Sequence, residues 1–181
     1  MRRAAVRVVA GAALCCAASC LNTKDVVQPA EVEAGEKFEA AVELRSYAGL
    51  KDVEGLTFAG VVAVSIPDGA EVIKATYEGA AKGRLDERAA VGPGDLPERP
   101  GYSWVYFVTP ETYDPIEYVG KDFVVTLIMR APPAPGDYRL GYAAGAVSAE
   151  GPDIDYAYAY WGTAWEGEGQ EPVLERGITV K

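Results

Sequence analysis

Apolar and polar positions alternate with a period of two over most of this chain, and prolines and glycines cut the pattern into short pieces. Phe38, Ala40, Val42 and Leu44 alternate with Glu39, Ala41, Glu43 and Arg45, which predicts a half-buried strand. From Phe58 to Pro67 the residues Val61, Val62, Val64 and Ile66 leave no polar face, so that strand is expected to be buried on both sides. Pro67-Asp68-Gly69 is a turn signal, and Val72, Ile73, Ala75 and Tyr77 predict the next strand, giving a hairpin or a sheet corner. Tyr102 to Thr109 places Tyr102, Trp104, Tyr106 and Val108 on one face. Asp122 to Met129 and Tyr138 to Tyr142 predict two strands around the break Ala-Pro-Pro-Ala-Pro-Gly at 131–136. Ile154 to Tyr160 and Leu174 to Lys181 supply two more. Between them, Glu78 to Gly101 is charged and rich in glycine and proline; it is expected to be a long exposed connection with one helical turn near Leu85 to Ala90. No segment carries the pattern of a normal-length amphipathic helix, and no internal repeat is visible. Seven to nine short strands with turn punctuation mean an all-β sandwich or barrel.

The corner Ala134-Pro135-Gly136-Asp137-Tyr138-Arg139-Leu140 sharpens that class. It resembles the entry to a late strand of immunoglobulin-like domains, where a tyrosine bonds its hydroxyl back to nearby backbone. The resemblance covers about two strands. It implies an immunoglobulin-like antiparallel β-sandwich, with a jelly roll as the alternative, and gives Tyr138 the corner role. The disulfide and tryptophan of antibody domains are absent.

The N-terminus departs from the strand pattern. Arg2, Arg3 and Arg7 precede an unbroken apolar or small run from Val8 to Ala18, then Ser19-Cys20-Leu21. A basic head, a short apolar middle and small residues at its end describe an export signal. The run is too short for a membrane-spanning helix, which needs about 20 residues. Ala17-Ala18-Ser19-Cys20 resembles the lipobox of bacterial lipoproteins, although the family's leucine is Ala17 here. The resemblance implies a signal peptide at 1–19, lipidation of Cys20, a tether at 20–25, a β-sandwich at 26–181 and attachment to a membrane. Leu21 after the cysteine, rather than Asp, is compatible with the outer membrane. The alternative is an ordinary signal peptide that leaves a soluble periplasmic or secreted protein.

Composition then excludes several functions. The 181 residues hold 17 basic and 27 acidic side chains, for a net charge of −10. Such a surface repels phosphate backbones and argues against nucleic-acid binding. The chain has no histidine, and its three cysteines all lie within the first twenty residues. Histidine-activated nucleophiles and most zinc chemistry are thereby removed, and no cofactor is implied. No Walker, dinucleotide or metalloprotease motif is present. Gly92-Pro93-Gly94 is a loop, not a phosphate cradle.

Two groups of side chains remain as candidates. Tyr156, Tyr158 and Tyr160 alternate with alanines, and Trp161 and Trp165 follow. Together they could form an aromatic platform that stacks on sugar rings, or a packed layer within the fold. A sugar site also needs amides, and the chain has only Asn22, Gln28 and Gln170. Asp153, Asp155, Glu166, Glu168 and Glu171 form an acidic group without calcium-loop spacing, so a solvated loop is the better reading. A pair of these acids could serve glycoside hydrolysis only across a cleft of set width, which a small sandwich hardly provides. The sequence thus points to a non-catalytic, envelope-anchored surface binding or scaffold module. Its partner would be another envelope protein; the alternative is a carbohydrate-binding module.

Overall fold

The computed structural model describes residues 21–46, 57–88, 96–113, 117–150, 155–162 and 171–181. These form twelve strands: β1 Leu21–Val27, β2 Glu31–Val32, β3 Lys37–Ser46, β4 Thr57–Pro67, β5 Glu71–Gly79, β6 Gly83–Arg84, β7 Asp86–Arg88, β8 Tyr102–Val108, β9 Asp122–Arg130, β10 Gly136–Glu150, β11 Asp155–Trp161 and β12 Leu174–Val180. Among the described residues no helix is long and apolar enough to cross a membrane.

Two sheets face each other. One has the order β1-β3-β9-β5-β6; the other runs β2-β12-β10-β4-β8-β7, with β11 also paired to β10. All pairings are antiparallel except β12 with β2. The frames β1-β3-β9-β5 and β12-β10-β4 reproduce the A-B-E-D and G-F-C orders of an immunoglobulin-like sandwich. β4 and β5 lie in different sheets, so Pro67-Asp68-Gly69 is a corner and not a hairpin. Gly69 takes φ +83°, a conformation the turn needs and side chains resist.

The inter-sheet core follows from the alternation. Ala40, Val42 and Leu44 of β3 meet Val125, Leu127 and Met129 of β9, and across the gap lie Val62, Val64, Ile66, Leu140, Tyr142 and Ile178. Each fully buried Val, Leu or Met side chain contributes about 1.5–3 kcal/mol of transfer free energy. Tyr138 makes the expected corner contact: its hydroxyl donates to the Ala134 carbonyl at 2.9 Å.

Two expectations are corrected. The segment 20–25 was expected to be a tether, yet β1 already begins at Leu21, and Leu21 pairs with Ser46 of β3. The connection from Glu78 to Gly101 has no helical turn among its described residues. It carries β6 and β7 instead, because Leu85 and Leu96 turn inward and are almost fully buried.

Candidate functional site

A sandwich normally buries one face of each sheet and leaves the other to water. The five-stranded sheet obeys this rule. Glu39, Glu43 and Arg45 of β3 alternate with its buried residues, and Lys74 and Glu78 do the same on β5. The seven-stranded sheet does not. On its outer face Ala59, Val61 and Ala63 of β4, Val108 of β8, and Ala143 and Val147 of β10 are wholly buried. They form a second apolar layer covered by half-buried Trp104, Tyr106 and Trp161, with Leu96 and Val173 beside them.

Register explains why the rings gather there. Ala63 pairs with Tyr106 on one side and with Ala143 on the other, while Gly145 of β10 pairs with Trp161 of β11. Small residues on the two central strands leave a trough, and large rings on the flanking strands lie into it. Tyr106 and Trp161 meet with ring centroids 6.2 Å apart and planes tilted by 38°. Burial, assisted by the negative charge of Glu98, raises the Tyr106 phenol above its ordinary value, so it is neutral.

Several polar ends of this face are already engaged. The Trp104 indole donates to the Pro97 carbonyl at 3.0 Å. The Arg99 guanidinium sits 4.9 Å over the Tyr102 ring and is 3.2 Å from Glu175. Away from this face, Gln28, one of three amides in the chain, accepts from the hydroxyl of the core residue Tyr142 at 2.6 Å and donates to the Gly177 carbonyl at 3.1 Å. Its amide is therefore spent inside the fold, which weighs against a sugar site.

Of the residues singled out from the sequence, Trp161 belongs to this face. β11 pairs Tyr160 with Ala146 and Tyr156 with Ala149, and a register shift falls between these pairs. The side chains of Tyr156, Tyr158 and Tyr160 lie outside the described residues, as do Cys20, Trp165, Asp153, Glu166 and Glu168. Sequence patterning found the row Tyr102, Trp104 and Tyr106 but not its floor. The signal available was the run of small residues at 143–146, which pairs with Gly60-Val61-Val62-Ala63.

A second concavity of about 80 Å³ lies between the sheets, at the end where β1 begins and β3 finishes. No Asp, Glu, Lys or Arg is among its described lining residues. Among the described residues no group of three or more Cys, Asp or Glu could hold a metal ion.

No protein-family model and no curated protein matches the sequence. Solved structures are similar in fold. A cohesin module from a Clostridium perfringens family 33 glycoside hydrolase is 11% identical with a TM-score of 0.47, covering 90% of this chain and 98% of its own. The seventh ScaB type I cohesin from Pseudobacteroides cellulosolvens is 12% identical with a TM-score of 0.43, over 89% and 92%. A collagen-binding domain from a Staphylococcus aureus adhesin is 9% identical with a TM-score of 0.34, over 86% and 95%. At these values the likeness carries no argument about function.

Proposed function

We propose that this chain is a non-catalytic binding or scaffold module of the cell envelope, exported and held at a membrane, the outer one, by lipid on Cys20. Its contact face is the outer face of the seven-stranded sheet, and its partner is another envelope protein. The observation that carries this reading is the difference between the two outer faces. One is charged; the other holds Trp104, Tyr106 and Trp161 over a buried apolar floor. Half-buried aromatics are the residues that most often anchor protein contacts. The net charge of −10 favours a partner surface that is basic or neutral.

A photo-crosslinking residue placed at Tyr106 in cells is expected to give a discrete protein adduct. The same residue at Thr126, on the outer face of the five-stranded sheet, should give none. Equal labelling at both positions would reject the assigned face. Glycan-array binding lost in Trp161→Ala with folding intact would replace the protein partner by a polysaccharide. Labelled palmitate should be incorporated by the wild type and not by Cys20→Ala; an unlabelled wild type would remove the anchor.

A further inference from the structure

The segment from Leu96 to Arg99 lies against the aromatic outer face, and its other residues are engaged there while Glu98 is not. Leu96 is buried with Ala63 and Ala143 in the cluster that Trp104, Tyr106 and Trp161 cover. The Pro97 carbonyl accepts from the Trp104 indole at 3.0 Å. Arg99 stacks over the Tyr102 ring, donates to the Arg139 carbonyl at 3.3 Å and pairs with Glu175. Glu98 is exposed, and among the described residues it has no cationic partner.

An exposed carboxylate is ordinary on an acidic chain; this one differs in its surroundings. Tyr106 and Trp161 are both half-buried, so part of each ring meets solvent, and their planes are tilted by 38° with centroids 6.2 Å apart. β7 runs beside Tyr106, Phe107 and Val108 with Asp86, Glu87 and Arg88, all exposed, so acids outnumber bases at this end of β8. Around Tyr102, at the other end, the guanidiniums of Arg99 and Arg139 share one carboxylate, Glu175, at 3.2 and 3.4 Å. The potential along β8 therefore steers an incoming cation to the Tyr106 end.

Resting on the reading that this face is the contact face, we propose that the protein partner enters it with an arginine, whose guanidinium lies on the Tyr106 and Trp161 rings and takes Glu98 as its counter-ion. A guanidinium suits the place better than an ammonium. It is planar and weakly hydrated, so it stacks on a ring while its edge still donates to a carboxylate. Its methylene stem can cover the apolar surface beside the rings. A second copy of this chain is disfavoured as the partner, because each copy carries a net charge of −10.

The test is titration of the isotopically labelled full chain with acetyl-Gly-Arg-Gly-amide and with the same peptide carrying citrulline, which keeps the shape and removes the charge. Saturable shifts are expected at Trp104, Tyr106 and Trp161, with the arginine peptide bound roughly three- to tenfold more tightly. Glu98→Gln should erase that preference, whereas Glu78→Gln on β5 removes the same charge from the other sheet and should leave it intact. Equal binding of the two peptides overturns the proposal, as does an equal loss in both variants, which would mean bulk charge alone. In cells, a photo-crosslinking residue at Tyr102 should give a weaker protein adduct when Glu98→Gln is added. An adduct unchanged by Glu98→Gln would overturn the arginine anchor and leave the contact face standing. No adduct in the wild type would overturn the face and the anchor together, and an adduct of two copies of this chain would overturn the separate partner.

Discussion

Asp25 accepts from the Arg176 guanidinium at 2.6 Å and from the Val26 amide at 2.7 Å. The ion pair ties β1 of one sheet to β12 of the other, and these bonds hold the carboxyl below the ordinary value of 3.8. A folded value below the unfolded one gives a stabilisation that is complete above the unfolded value and is lost as pH falls through the folded one. Asp25→Asn should therefore lower the urea midpoint near pH 7 and converge with wild type near pH 2. The effect should shrink in salt, because both groups are partly solvated. Gln28 closes a similar link inside the fold. Replacing it by Ala strands the buried Tyr142 hydroxyl and should cost about 1–3 kcal/mol, whereas Tyr142→Phe should cost nearer ~1 kcal/mol. Denaturant titration of both single variants checks the order, and the reverse order would show that Gln28 is not the hydroxyl's main partner. These two links also mark what sequence can show. Tyr138 was legible because its partner Ala134 is four residues away and the intervening Pro-Gly fixes the geometry. Gln28 and Tyr142 are 114 residues apart, and no local pattern joins them.

The same contrast holds for strands. β3, β8, β9 and β12 were legible because burial on one face writes a period of two into the sequence. β1 was only half legible, as a tether whose Val26-Val27 end could pair at an edge, because it carries a bulge. Its register shifts between Thr23 and Asp25, so Leu21, Thr23 and Val26 meet Ser46, Leu44 and Val42, and the inward residues are no longer evenly spaced. β6 and β7 were hidden by composition, since charged residues surround the one apolar position, Leu85, that fixes them. The aromatic face was half legible. The ring row on β8 stood out, but its floor on β10 reads as a run of small residues that could serve any close approach. That floor should not tolerate growth. Ala143→Leu has no room beneath Trp104, Tyr106 and Trp161, and should destabilise by about 1–3 kcal/mol through overpacking. Lifted rings would be wetter, so tryptophan emission should move to the red in the folded variant. An unchanged spectrum at unchanged stability would mean that the rings do not rest on Ala143.

The ends of the sandwich differ as its faces do. Leu21, Ser46, Gly120 and Lys121 mark one end, and the inter-sheet cavity lies there. Gly35, Pro132 and Lys181 mark the other, where the Gly35 amide donates to Pro132 and the Ala34 amide to Lys181. Cys20 precedes the first strand residue directly, and one residue of extended chain reaches only about 3.5 Å. A lipid on Cys20 would therefore hold the cavity end against the bilayer without a spacer. The charged outer face and the aromatic outer face would both stand roughly along the membrane normal, open to partners from the side. Fluorophores at Lys121 and at Asp137 discriminate this arrangement. In proteoliposomes, a quencher carried on lipid headgroups should reduce emission from Lys121 strongly and from Asp137 little. Inserting ten Gly/Ser residues between Cys20 and Leu21 should lengthen the reach to roughly 17 Å and abolish the difference. Equal quenching at both positions in the uninserted protein would show that the domain lies on its side or that no short anchor holds it.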